Sequence, residues 1–147
     1  MFVGDRPTAH LRITQWQFLG DMIKQRPITG SGLRSFTPAY EAAMDTWLGH
    51  PHNLYLMLTS EIGIPAAGLF IGFVGWILVR GRLVWQGLAE KSERLIFFSY
   101  FMAFSGYALF NLLDVTVLDL RLNVFAWLLL AGIWGLGKQV NQPRNEG

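Results

Sequence analysis

Residues 52–68 read HNLYLMLTSEIGIPAAG, and this stretch divides the chain into two chemically different parts. The sequence before it is water-soluble in character, and apolar runs dominate the sequence after it. From Leu54 a helix is expected to continue through Glu61 into the uncharged run Ile62–Val79. At about 1.5 Å per residue, that run crosses most of a hydrocarbon core. Pro65 removes a hydrogen bond to the Glu61 carbonyl, so a kink is expected near the membrane surface. Asn53 is the expected N-cap. His52 then lies at the helix N-terminus, where the dipole disfavours an imidazolium and leaves the neutral ring that a general base requires. The plainer reading of His52 is an interfacial histidine in an ordinary hydrogen bond. Glu61 either holds an arginine or the histidine in place or is simply solvated.

Composition supports the division. Hydrophobic residues make up 52% of the 147, and the mean hydropathy is +0.31, too apolar for an ordinary soluble domain of this size. An all-α membrane protein is the expected class. With no cysteine, neither a disulfide framework nor a thiolate metal site is possible. The net charge is only +2 and the basic residues are scattered, so no stripe exists to track a phosphate backbone and nucleic acid is not an expected partner. The N-terminal MFVGDRPTAH has an early acidic residue and no apolar core, unlike a secretory signal.

Upstream of residue 52, the sequence predicts an external segment, residues 1–53. Thr8 can cap an amphipathic helix over about 9–25, ended by Pro27. Leu11, Trp16, Phe18, Leu19, Met22 and Ile23 share one arc of that helix, and His10, Thr14, Gln17, Asp21 and Lys24 the other. Arg12 falls inside the apolar arc, where a guanidinium must snorkel to its edge or meet an anion. Pro27-Ile-Thr-Gly30-Ser-Gly32 is either a turn or a loop whose backbone N–H groups approach a phosphate, and Arg34 behind it is a second possible diphosphate contact. Thr37 and Pro38 read as N-cap and first residue of a short helix over about 38–48. His50 and His52 flank Pro51. With no third ligand at the expected spacing, no metal site is expected.

Downstream, three spans are expected over about 54–79, 95–113 and 122–137. Gly68-x-x-x-Gly72 and Ala131-x-x-x-Gly135 offer smooth packing faces. The loop Arg80–Arg94 carries Arg80, Arg82, Lys91 and Arg94, which places it in the cytoplasm and His52 on the opposite side. Lys138 and Arg144 mark a cytoplasmic tail. Asp114, Asp119 and Arg121 fall in the outer connection, level with His52; an Asp119–Arg121 pair across the turn is the plainer account of that trio. The spans carry no charge at their centres, which argues against a transporter.

His52-Asn53 followed nine residues later by Gly63, together with Arg12-Ile-x-x-Trp16 and Pro27-Ile-x-Gly30-x-Gly32, resembles the C-terminal part of the O-antigen ligase and polymerase family. The resemblance runs from about Arg6 to the last span and implies a C-terminal fragment with a partial GT-C-like ligase fold. It also implies a bacterial inner-membrane enzyme with its catalytic loop on the periplasmic or extracellular side. Such an enzyme transfers a glycan from an undecaprenyl diphosphate carrier to a sugar hydroxyl of lipid A core or of another glycan, without cofactor or metal. By that resemblance His52 is the base, and Arg12 clamps the departing diphosphate with Arg6 or Arg34. Asn53, Glu61 and Asp114 complete the substrate site, Asp114 orienting Arg12 or His52. Ala66 departs from the ligase pattern, which has glycine, threonine or tyrosine there. A repeat-unit polymerase, or an inactive truncated membrane fragment, therefore stays open as an alternative.

Overall fold

The computed structural model describes residues 9–88 and 90–140. Arg6, Thr8 and Arg144, on which three expectations rest, lie outside them. Five helices and one 3-10 turn account for the regular structure, with no strand among the described residues: α1 (Ala9–Gln25), α2 (Phe36–Met44), α3 (Leu54–Gly87), α4 (Lys91–Phe110), the turn Thr116–Leu118 and α5 (Leu120–Val140). The chain forms two compact units. One comprises residues 1–69 with 111–115, and the other 70–110 with 116–147.

The first unit packs α1 against α2 through Leu19, Met22, Phe36 and Tyr40, all buried. Phe18 meets Tyr40 edge-on at 5.3 Å, and Phe36 stacks on Tyr40 at the same distance. Aromatic contacts of this kind add about 0.5–1.5 kcal/mol beyond area burial. The helix boundaries of α2 differ from the expectation. Ser35 stands at the N-cap position, and Thr37 instead donates its hydroxyl to the Gly49 carbonyl at 3.1 Å. The helix ends at Met44 because Asp45 turns left-handed (φ 51°), a conformation its short polar side chain tolerates.

The break in α3 is at Gly63 (φ 84°, ψ 161°) rather than at Pro65. That backbone region is open essentially to glycine alone. Pro65 falls in the first turn of the segment 64–87, where a missing N–H leaves no intrahelical bond unmade. The interruption exposes backbone groups, and the Pro27–Gly32 loop satisfies them. Ser31 N–H donates to Ser60 O and Gly32 N–H to Glu61 O, each at 2.9 Å, while Ile64 N–H donates to Pro27 O at 2.8 Å. Backbones approach so closely that a Cβ on Gly30 would overlap the Glu61 carbonyl, and one on Gly63 the Ile28 carbonyl. The glycine loop is therefore a fastener: the two N–H groups that a phosphate cradle would use are already bonded.

In the second unit the rest of α3 packs with α4 and α5 around Ile77, Phe97, Phe104, Leu130 and Ile133. The close-packing glycines are Gly81, facing Ile133 and Phe97, and Gly132, facing the Tyr100 ring. Gly68, Gly72 and Gly135 meet nothing within 4 Å, so the expected small-residue faces are not the ones used here. α3 runs on through Arg80 and Arg82 to Gly87, since no proline follows Pro65 within it. Arg80 lies over the Trp76 ring at 5.8 Å, and Arg94 over Trp85 at 5.7 Å. α4 begins at Lys91, and α5 is longer at both ends than the span expected there. Asp119 starts α5 by accepting the backbone N–H groups of Arg121 (2.9 Å) and Leu122 (3.3 Å). No ion pair joins it to Arg121 among the described residues, so the plain account of that trio gives way to a helix cap.

Among the described residues, α3 is the one helix long and apolar enough to cross a membrane; the apolar part of α5, Leu120–Gly135, is shorter. Large apolar side chains such as Leu69, Val79, Leu95 and Leu128 stand exposed, a surface that calls for lipid or protein around it. Replacing Gly63 by alanine should destabilise the protein by roughly 2 kcal/mol or more, because strain and a backbone clash add. Thermal unfolding followed by circular dichroism in detergent checks this, with Gly68→Ala, where nothing is within contact, as the neutral comparison.

Candidate functional site

The first unit gathers its polar side chains where α1, the 50–53 segment and residues 111–115 meet. Trp16 on α1 donates its indole N–H to the Pro51 carbonyl at 3.1 Å. One turn earlier, Arg12 Nη1 donates to the Leu113 carbonyl at 3.2 Å. Asn53 then fixes the start of α3. Its Oδ1 accepts the Leu56 N–H at 2.9 Å, as an N-cap should, and its Nδ2 donates to the Leu112 carbonyl at 3.0 Å. The adjacent Leu54 N–H donates to Asn111 O at 2.9 Å. Two bonds thus join residues 111–112 directly to 53–54, two more tie Pro51 and Leu113 to α1, and Asp114 follows directly.

Asp114 Oδ1 accepts from three donors: Val115 N–H at 2.8 Å, His50 Nε2 at 3.1 Å and, at a longer 3.4 Å, His52 Nδ1. A carboxylate only accepts, so each imidazole presents an N–H to it. His52 then carries its proton on Nδ1 and keeps a lone pair on Nε2, the tautomer of an oriented base. The His50 and His52 rings sit edge to face, centroids 4.6 Å apart. His52 is also left-handed, at φ 51°. Histidine visits that region more readily than most residues, yet it stores about 1–3 kcal/mol of strain of the sort found at functional sites.

The electrostatics follow from this arrangement. Burial lowers the His52 pKa below the usual 6.5, the neighbouring His50 lowers it further, and Arg12 adds to the shift; the Asp114 contact opposes them but does not prevail. Burial alone would raise the Asp114 carboxyl, but the Val115 N–H and the two imidazoles hold it below the ordinary 3.8. The result is an anionic Asp114 beside a neutral His52, with the guanidinium of Arg12 near enough to be felt by the ring.

Arg12, His52, Asn53 and Asp114 are therefore brought together, although Asn53 uses both ends of its amide within the protein. Glu61 is buried (5% exposed) and Arg34 exposed, and no hydrogen bond or ion pair links either side chain to this group among the described residues. Arg34, left-handed at φ 59°, serves the turn before α2. Arg6 lies outside the described residues. The third metal ligand missing from the local spacing comes from far along the chain: one ligand atom each from His50, His52 and Asp114 lie within 4.8 Å of one another. The two His–Asp distances are already accounted for as hydrogen bonds to a carboxylate.

One member of the site, His50, and one buried polar residue of α1, Gln15, escaped the sequence reading. His50 entered only as half of a metal pair. Gln15 went unnoticed, although at three residues beyond Arg12 it falls in the apolar arc of α1, where a polar residue is out of place. It is 3% exposed.

A family model described as O-antigen ligase matches residues 3–71, the segment holding α1, the glycine fastener, both histidines and the break at Gly63. Three rickettsial relatives carry the name "Putative polysaccharide ligase": 26% identical over 145 residues in Rickettsia conorii, 29% over 144 in Rickettsia prowazekii and 28% over 144 in Rickettsia typhi. These alignments cover 90–92% of this chain and 32% of each relative, so the chain spans about a third of the relatives' length. No solved structure matches. The chain is thus similar to the O-antigen ligase family, matched over residues 3–71, and to rickettsial polysaccharide ligases along nearly all of its length.

Proposed function

We propose that this chain is the acceptor-activating and diphosphate-binding part of a membrane glycan ligase. The donor is a glycan on undecaprenyl diphosphate, and the acceptor is a sugar hydroxyl of lipid A core or of another glycan. His52 Nε2 removes the proton of the attacking hydroxyl as its oxygen bonds to the anomeric carbon. Asp114 holds the ring and stabilises the imidazolium that forms. The anomeric carbon–oxygen bond breaks with inversion, and the electron pair leaves on the diphosphate, whose developing charge Arg12 meets. Arg34 and Arg6 are secondary candidates for the same anion. The observation that carries this reading is the meeting of a guanidinium with an oriented, neutral imidazole in one site, in a chain similar to O-antigen ligases.

Topology belongs to the same proposal. Residues 1–53 lie outside a bacterial inner membrane, and α3, α4 and α5 cross it, with the basic end of α3 and the start of α4 inside. The reaction resembles that implied by the relatives' names and needs no nucleotide, because the carrier diphosphate already activates the sugar.

The test is complementation. Joined to the N-terminal membrane part of a related ligase, in a strain lacking its own ligase, the chain should restore glycan-capped lipopolysaccharide, and His52→Ala should lower transfer by about 10²–10⁴-fold. Undiminished capping by that variant at equal membrane levels would remove His52 from the mechanism. The pH dependence supplies a second check. A His52 pKa below 6.5 keeps the base form populated into mild acid, so the acid limb of kcat/KM should have its midpoint below 6.5. Asp114 raises that pKa, so Asp114→Asn should move the midpoint further toward acid while slowing transfer. A midpoint above 6.5, or a shift toward alkali in the variant, would contradict the assignment.

A further inference from the structure

Two polar atoms on one face of α1 are buried without a hydrogen-bond partner among the described residues: the Nε of Arg12 and the Oε1 of Gln15. The first is a donor and the second an acceptor, and residues three apart on a helix are neighbours with Cβ atoms about 5–6 Å apart. An unmet buried amide oxygen lowers stability, and Leu19 and Met22, which share its arc, are buried apolar side chains. An unmet polar atom inside an apolar arc calls for an explanation, and a ligand contact supplies one. The ligand must offer an acceptor to Arg12 and, beside it, a donor to Gln15.

A glycosyl diphosphate has that pattern at one end. Its phosphate oxygens accept, and the carbon next to the anomeric centre carries the nearest donor, a hydroxyl or an amide N–H. We infer that Gln15 is a substrate-reading residue: its Oε1 accepts a hydrogen bond from the substituent on the sugar carbon adjacent to the diphosphate-bearing one, while Arg12 binds the diphosphate. This inference rests on the ligase reading above and extends it to the specificity of the donor side. Gln15 takes no part in proton transfer. Its contact orients the anomeric carbon toward the hydroxyl that His52 activates.

The experiment uses the protein in membranes of its native cells, with their own lipid-linked glycan pool as donor. Initial transfer rates are measured as that pool is diluted and, separately, as the acceptor is diluted, for the unsubstituted protein, Gln15→Met and His52→Ala. Methionine keeps the length of glutamine and discards its acceptor. The expected result for Gln15→Met is a half-saturating donor concentration raised about tenfold, the acceptor dependence unchanged, and a thermal midpoint equal to or above that of the unsubstituted protein. An unchanged donor dependence would overturn the inference. So would a lowered midpoint with loss of rate at every donor concentration, which marks a merely structural glutamine, or a rise in the acceptor requirement instead. Failure of the ligase reading looks different: His52→Ala would then transfer as fast as the unsubstituted protein.

Discussion

The first unit depends on one backbone interlock, the docking of the Pro27–Gly32 loop into the gap that Gly63 opens in α3. A helix broken in this way leaves carbonyl and N–H groups unpaired, and buried backbone groups must be satisfied. The loop supplies three hydrogen bonds to the break, and only glycines at positions 30 and 63 let the two backbones come so near. Because the loop follows directly from α1, the interlock also fixes where α1 can lie. Trp16 and Arg12 consequently reach the carbonyls of Pro51 and Leu113. The polar site inherits its geometry from a contact that contains no catalytic group at all.

Within that geometry a single carboxylate oxygen organises the chemistry. Asp114 fixes the tautomer of His52 and engages His50, while burial and like charge keep the His52 ring neutral. In the proposed reaction a base needs an anionic partner for the cation it becomes, and Asp114 stands on the Nδ1 side of the His52 ring. Asn53 contributes by capping α3 with one end of its amide and tethering the Asp114 segment with the other. A substitution there would disturb the helix start and the site together.

Features set by neighbours in sequence were legible. The bounds of α1 follow from its apolar arc and the proline beyond it, and Asn53 announces a helix start because it precedes an apolar run. Arg12 stood out as a cation inside an apolar arc. What could not be read locally depends on contacts between distant residues. The role of Gly63 appears only when Gly30 is placed against it; without that contact Pro65 looks like the better breaker. Asp114 lies 62 residues from His52, so spacing alone made an Asp119–Arg121 pair the plainer account, whereas Asp119 caps α5. Small-residue packing was anticipated in kind but not in place, since many glycines allow close approach and only the helix crossing selects Gly81 and Gly132.

The proposed mechanism has Arg12 and His52 act on the same chemical step. The measurement that tests it most directly is a double-mutant cycle on kcat/KM for glycan transfer, using Arg12→Ala, His52→Ala and the two together. Groups that act as one unit are strongly non-additive. If the two share one step, the double variant is little slower than the worse single one. Losses that simply multiply would show two independent contributions and would contradict a shared site.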